Sequence, residues 1–394
     1  MHLRDRVRPN LRGIEPYDPG PTLAELGERY GVRDLVKLNW NESLFGPLPG
    51  VLPALADEGS RLWMYPEQAY AEFRAAVARQ IRVSPDSVVP GHGVQALLMS
   101  VLAVFVAPGD VIVTARPTYG LYAQAATAMG ARLVRVPVTA DLGLDLAEMA
   151  REVHRQRAGM VIVCDPNNPT GQVVGDAAWA QFLNDLPDDC VVVVDEAYID
   201  FAAPGRRDRR VPDVTAGRPV ILLRSFSKLY GLAGLRLGYA VVDPDVAPCF
   251  DAVQEPFNVN RMALAAGMAC LADPAVVERR RREVVEAREH LQERLAAHDY
   301  RPFPSEANFV LTSLSGRSEG GGGERSPRPS GDDAAFVEQL IQRGFVPRGG
   351  HEFGMAGHLR ITVAPIFLMD RLVDAMDDVR AKMDRVGLPR RGPA

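Results

Sequence analysis

Lys228 stands at the end of Ser225-Phe226-Ser227-Lys228, just past the apolar run Val220-Ile221-Leu222-Leu223 and among small residues. Lysine is almost never fully buried without a partner. A desolvated lysine has a lowered pKa and becomes a carbonyl-reactive amine, the group that Schiff-base chemistry needs. The hydroxyls of Ser225 and Ser227, and the guanidinium of Arg236, are groups that grip a phosphate dianion. The competing reading is a surface lysine in a glycine loop, since Gly231 and Gly234 follow. A second apolar run, Val191-Val192-Val193-Val194, ends in Asp195. A carboxylate at the carboxyl end of a buried strand points into a cleft and requires a partner there. A protonated ring nitrogen is such a partner, and holding it protonated makes the ring an electron sink. Capping of the following turn is the plainer role for Asp195. The turn Asp165-Pro166-Asn167-Asn168-Pro169-Thr170-Gly171 follows a third apolar run. Gly91-His92-Gly93-Val94-Gln95 opens a helix, whose first amides and dipole suit a phosphate.

These groups need a scaffold that brings strand ends together. Runs such as Val111–Thr114, Met160–Cys164, Val191–Val194 and Val220–Leu223 alternate with helical patterns at Val94–Phe105 and Leu121–Met129. Continuous apolar strands of this kind suit a mostly parallel sheet covered by helices on both faces, with ligands at the carboxyl ends. After about Asp273 the texture changes. Val276–His298 reads as one solvent-exposed charged helix, followed by a strand (Asn308–Thr312), a helix (Asp333–Arg343), a strand (Gly357–Val363) and a final helix from Leu368. The expected organisation is therefore α/β: a large lobe over 42–272 and a smaller α+β lobe from 1–41 and 273–394. Ser315–Asp333, rich in Gly, Ser, Pro and charge, reads as a disordered surface loop.

Composition narrows the class. The formal charge of −5 provides no basic field for a nucleic-acid backbone, and 47% hydrophobic with 24% charged residues is ordinary for a soluble globular protein. The N-terminal stretch MHLRDRVRPN has no apolar core of a secretory signal, and no apolar stretch is long enough to span a bilayer. Four scattered cysteines without a CxxC pair suggest reduced, mostly buried thiols in a cytoplasmic protein. His351 and His358 lack a third ligand at metal spacing, so no metal is expected.

The glycine loop, Asn-Pro-Thr-Gly, Asp-x-x-Tyr, Ser-x-Ser-Lys and the arginine eight residues after the lysine, in that order, resemble the class I/II aminotransferases of the fold type I pyridoxal-5′-phosphate (PLP) enzymes. Within them the chain is similar to the histidinol-phosphate aminotransferase branch. The residues behind this are Ile14–Gly20, Lys37–Ser43, Tyr65-Pro66, Pro256–Asn260, Glu306–Phe309 and Leu359–Thr362. The resemblance implies that Lys228 holds PLP as a Schiff base and Asp195 binds the ring nitrogen. Asn168 and Tyr198 would contact the ring hydroxyl, and Tyr119 would stack on the ring. Ser225, Ser227, Arg236 and the amides of Val94 and Gln95 would take the phosphate. Tyr65 would reach the neighbouring subunit's cofactor, implying a homodimer. Arg360 would bind the substrate's anionic end, with Arg348, Tyr17 and Asn41 nearby. The implied reaction is ping-pong transamination between a small-molecule amino donor, histidinol phosphate, and a 2-oxo acid, 2-oxoglutarate. An aminotransferase of aromatic or other amino acids and a phospho-amino-acid decarboxylase are alternatives on the same scaffold. A regulator reading would need a DNA-binding domain upstream.

The chain departs from the family at Asn41-Glu42-Ser43-Leu44, where Asn-Glu-Asn-Pro is usual, and at Gly93-Val94-Gln95-Ala96, which lacks the usual acidic residue. These departures bear on substrate choice more than on cofactor binding. The run Arg279–Arg282 reads as a solvated helix face.

Overall fold

In a computed structural model, which describes residues 2–315 and 333–386, each apolar run becomes a strand. The strands are β1 (Val36–Lys37), β2 (Val88–Gly91), β3 (Val111–Arg116), β4 (Arg132–Pro137), β5 (Met160–Cys164), β6 (Val191–Asp195) and β7 (Val220–Ser225), then β8 (Gly238–Val241), β9 (Arg301–Pro302), β10 (Phe309–Ser313), β11 (Phe345–Val346), β12 (Arg348–Gly349) and β13 (His358–Thr362). Seven of them form one sheet in the order β2-β8-β7-β6-β5-β3-β4. Only β8 runs against its neighbours, so the sheet is mostly parallel.

Why the runs are continuous rather than alternating is visible in β6. Val193 packs into an apolar cluster with Leu97, Leu98 and Val101 of the helix Gly93–Phe105. Val192 and Val194 face the other way, into a cluster containing Trp179, Phe182 and Leu229. Helices cover both faces, so every position of the strand is apolar. Each fully buried valine contributes about 1.5–3 kcal/mol over an exposed one. The protein is α/β, as its sequence pattern requires.

The C-terminal part forms an antiparallel sheet in the order β12-β13-β10-β9. A two-stranded parallel pair joins β1 to β11, so residues near the start of the chain are tied to its end. The helix Pro274–Ala297 differs from expectation. It is not simply solvent-exposed, because Val284, Ala287, Arg288, Leu291 and Leu295 are buried along one side. Their spacing of three to four residues is a helical stripe that the surrounding charge obscures. Arg288 is itself buried and donates to the carbonyls of Phe201 and Ala307. Within the expected solvated run Arg279–Arg282, Arg280 is likewise tucked in, donating to the Gly46 carbonyl at 2.6 Å. The expected loop at 315–333 falls, over 316–332, outside the described residues. Among the described residues no helix is long and apolar enough to cross a membrane.

Candidate active site

The carboxyl ends of β5, β6 and β7 deliver the Asp165 turn, Asp195 and Ser225–Lys228 to one edge of the large sheet; the register pairs Cys164 with Asp195, and Asp195 with Leu223. Asp195 is only 3% exposed. Its two oxygens are held separately: Oδ1 accepts from the Ala197 amide at 3.1 Å and Oδ2 from the Tyr122 hydroxyl at 2.7 Å. Asp195 therefore caps the following turn with one oxygen and meets a side chain from another element with the other. Burial pushes the Asp195 carboxyl up, and the Tyr122 and Ala197 hydrogen bonds oppose that shift. Tyr122 did not emerge from sequence reasoning. It sits three residues after Tyr119 on the helix Leu121–Met129 and reads as core, because nothing local shows that its hydroxyl meets a carboxylate. Tyr119 packs edge-on against it at 5.5 Å.

Lys228 lies partly covered in the cleft, its Nζ donating to the Trp40 carbonyl at 3.1 Å and standing 5.6 Å from the Tyr198 ring. Loss of hydration first, and then the cations of Arg360 and Arg236, bring its pKa down to about 8, against the opposing pull of Glu42 and Asp195. Such an amine is neutral in a far larger share near physiological pH than an ordinary lysine, and the neutral form is what nucleophilic attack on a carbonyl requires.

The start of the helix Gly93–Phe105 lies beside Arg236. No side chain caps that helix, and His92, at the cap position, makes no capping hydrogen bond. The first amides, among them those of Val94 and Gln95, thus lack side-chain acceptors. Gly93 has φ +78°, and a Cβ there would stand 2.7 Å from Arg236 Nη2, so the glycine and the guanidinium are matched surfaces. Ser225 and Ser227 are both buried, and the Ser227 amide donates to the Ser225 hydroxyl at 3.0 Å.

The opposite end is built from β13. Arg360 is 4% exposed, so it is a buried guanidinium and not a surface one. It donates to Asn168 Oδ1 at 2.5 Å and to the Asn39 carbonyl, and its Nε has no hydrogen-bond partner among the described residues. Burial, followed by the nearby Arg348, lowers its pKa to about 10 while Tyr198 opposes the shift. Asn168 keeps its amide nitrogen as a donor, since its oxygen is taken by Arg360. Asn41 Nδ2 donates to the Tyr198 hydroxyl at 3.1 Å. Arg348 pairs across the strands with Arg360, and Tyr17 lies near enough to Arg360 to interact with it electrostatically. Tyr65 joins none of these contacts: it is 78% exposed and stacks on Phe257.

The arrangement can receive a planar, phosphate-bearing pyridine. Asp195 offers a buried carboxylate, the start of the helix Gly93–Phe105 its first amides beside Arg236, Lys228 a partly covered amine, and Arg360 a buried guanidinium whose Nε has no partner among the described residues. The described residues hold no cluster of three or more His, Cys, Asp or Glu side chains placed to bind a metal ion.

Known proteins carry the same architecture. The family described as Aminotransferase class I and II matches residues 33–376. A histidinol-phosphate aminotransferase of Moorella thermoacetica is 35% identical over 377 residues, covering 95% of this chain and 93% of its own. One from Anaeromyxobacter sp. is 35% identical over 363 residues, covering 91% of this chain and 94% of its own. The crystal structure of histidinol-phosphate aminotransferase from Sinorhizobium meliloti, in complex with pyridoxal-5′-phosphate, superposes with a TM-score of 0.85 at 28% identity, covering 96% of this chain and 98% of that one. The chain belongs to the class I and II aminotransferases, on their histidinol-phosphate aminotransferase branch.

Proposed function

We propose that this protein is a PLP-dependent aminotransferase that moves the amino group of L-histidinol phosphate to 2-oxoglutarate by ping-pong transfer, as a cytoplasmic homodimer. Lys228, Asp195, Asn168, Tyr198, Tyr119, Ser225, Ser227, Arg236 and the amides of Val94 and Gln95 hold the cofactor, and Tyr65 serves the neighbouring subunit's site. Residues 42–272 form the cofactor lobe, with 1–41 and 273–394 as the smaller one. Bound PLP supplies an electron sink for charge developing at the substrate's α-carbon. Asp195 keeps a proton on the ring nitrogen. Lys228 Nζ would take the α-proton from the donor and deliver it to the cofactor's C4′ carbon, acting as base and then acid, and would carry a proton the opposite way when the 2-oxo acid is aminated. Asn168 and Tyr198 orient the ring hydroxyl.

The observation that carries the substrate reading is Arg360, buried with an unpartnered Nε and with Arg348 directly across the strand. Guanidinium groups accept either carboxylate or phosphate in a bidentate way, as two chemically different anionic ends require. The test compares L-histidinol phosphate with L-histidinol, phenylalanine and tyrosine as donors. The phosphate should raise kcat/KM at least about tenfold, roughly 1.4 kcal/mol of recognition. A smaller gain, with phenylalanine or tyrosine preferred, would assign the enzyme to aromatic amino acids instead. Carbon dioxide release without amino transfer would assign it to decarboxylation.

A further inference from the structure

We infer that Glu352 is the exchangeable counter-ion of the substrate's anion site, occupying Arg348 between turnovers and yielding it to an incoming phosphate. This rests on the reading that Arg348 and Arg360 receive the substrate's anionic groups. Antiparallel register sets Arg348 directly opposite Arg360. Partners so placed lie on one face with Cβ atoms about 5 Å apart, where like charges repel. The two cations are treated differently. Arg360 is buried and, among the described residues, has no carboxylate partner; it is braced by Asn168 and the Asn39 carbonyl. Arg348 instead has Nε 3.1 Å from Glu352 Oε2.

Glu352 lies on the short turn Gly350–Phe353, and that turn is anchored without it. Buried Asp333 accepts from the His351 amide at 2.8 Å, from the His351 ring at 2.7 Å and from the Gly357 amide at 3.0 Å. Glu352 is thus free to serve a purpose other than shaping the loop. Its side chain is 42% exposed and that of Arg348 23%, so water reaches the pair and weakens it. A phosphate dianion offers more charge and more acceptor oxygens than one carboxylate, and replaces Glu352 on Arg348. An uncharged donor group gains nothing from the exchange. Glu352 therefore discounts anion binding generally, neutralises Arg348 against Arg360 when the site is empty, and helps the phosphorylated product leave.

The experiment measures KM and kcat of the holoenzyme with L-histidinol phosphate and with L-histidinol, for wild type, Glu352→Gln and Glu352→Asp. Inorganic phosphate is tested as an inhibitor of the L-histidinol reaction. In Glu352→Gln the KM for L-histidinol phosphate should fall about three- to fivefold, the scale of a partly exposed ion pair. The KM for L-histidinol should hold, and inorganic phosphate should inhibit at a correspondingly lower concentration. Glu352→Asp keeps the charge and should lie between. An unchanged or raised KM for the phosphate donor overturns the inference, as does an equal shift for both donors, which is what a purely structural residue would produce. If wild type fails to prefer the phosphorylated donor, the substrate assignment falls instead. Inorganic phosphate then decides Glu352 alone: greater sensitivity of Glu352→Gln upholds the counter-ion role, and equal sensitivity removes it.

Discussion

On the proposed assignment, a single amine governs how this protein acquires its cofactor. Because Lys228 is drawn down to about 8, roughly a tenth of it is neutral at pH 7, against a far smaller share for an ordinary lysine. Only the neutral form attacks a carbonyl, so the rate at which cofactor-free protein binds PLP should rise with pH and level off above about 8. Stopped-flow absorbance measures this; a midpoint near the ordinary lysine value would mean that the amine is solvated. Arg360 is the largest charge holding that midpoint down, so Arg360→Ala should move it upward. Borohydride reduction followed by peptide mapping should find the cofactor on Lys228 and on no other lysine. Tyr122→Phe removes one of the two hydrogen bonds to Asp195 without changing the ring's shape. Hydrogen bonds to charged groups are worth about 1.5–3 kcal/mol, so turnover should fall about ten- to a hundredfold while cofactor stays bound. Wild-type turnover in that variant would show that the Ala197 amide alone is enough to hold the carboxylate.

At the scale of elements, the start of the helix Gly93–Phe105 is the most exposed to a test. Gly93→Ala places a Cβ on the Arg236 guanidinium in a left-handed backbone conformation that costs about 1–2 kcal/mol for a non-glycine residue. The arginine's long side chain can yield, so the fold should survive while PLP retention weakens, as in Arg236→Ala. Equilibrium dialysis of both variants checks this, and undiminished retention would place the phosphate elsewhere. The helix Pro274–Ala297 makes a separate point about stability. Arg288→Leu would leave the carbonyls of Phe201 and Ala307 without their donor, at about 1–3 kcal/mol for each. Urea unfolding should show that loss with kcat nearly unchanged; a loss below about 1 kcal/mol would mean that water replaces the guanidinium.

For the whole molecule the open surface around Tyr65 is decisive. Leu62, Trp63 and Tyr65 are all largely exposed, an apolar stretch next to the Phe257 ring. Large apolar side chains clustered at a surface mark an interaction site. If Tyr65 serves a neighbour's cofactor, inactive Tyr65→Ala and Lys228→Ala homodimers mixed under exchange conditions should regain activity, because one site of each mixed dimer is then native. Demonstrated exchange without recovery would mean that each subunit's site is self-contained.

Much of the site could be read from the chain because its parts are local. A strand that is apolar at every position has to lie between two layers, so Val191–Val194 already placed Asp195 at a strand's carboxyl end, and Val220–Leu223 did the same for Lys228. Gly91 and Gly93 similarly marked the start of the helix Gly93–Phe105, where the phosphate site is proposed. What the chain could not show is which distant groups meet. Tyr122 reaches Asp195 from 73 positions away, and Trp40, far upstream of Lys228, provides its carbonyl partner. The Asn39 carbonyl and Asn168 brace Arg360 only because β1 pairs with β11 and the Asn41 amide donates to Thr362, drawing the start of the chain onto its end. Glu352, four residues beyond Arg348, is near in sequence, yet its importance appears only once strand register sets Arg348 against Arg360. Local patterning decides which face of an element is buried. Long-range packing alone decides which charges come within a few ångströms of each other, and therefore their pKa values and partners.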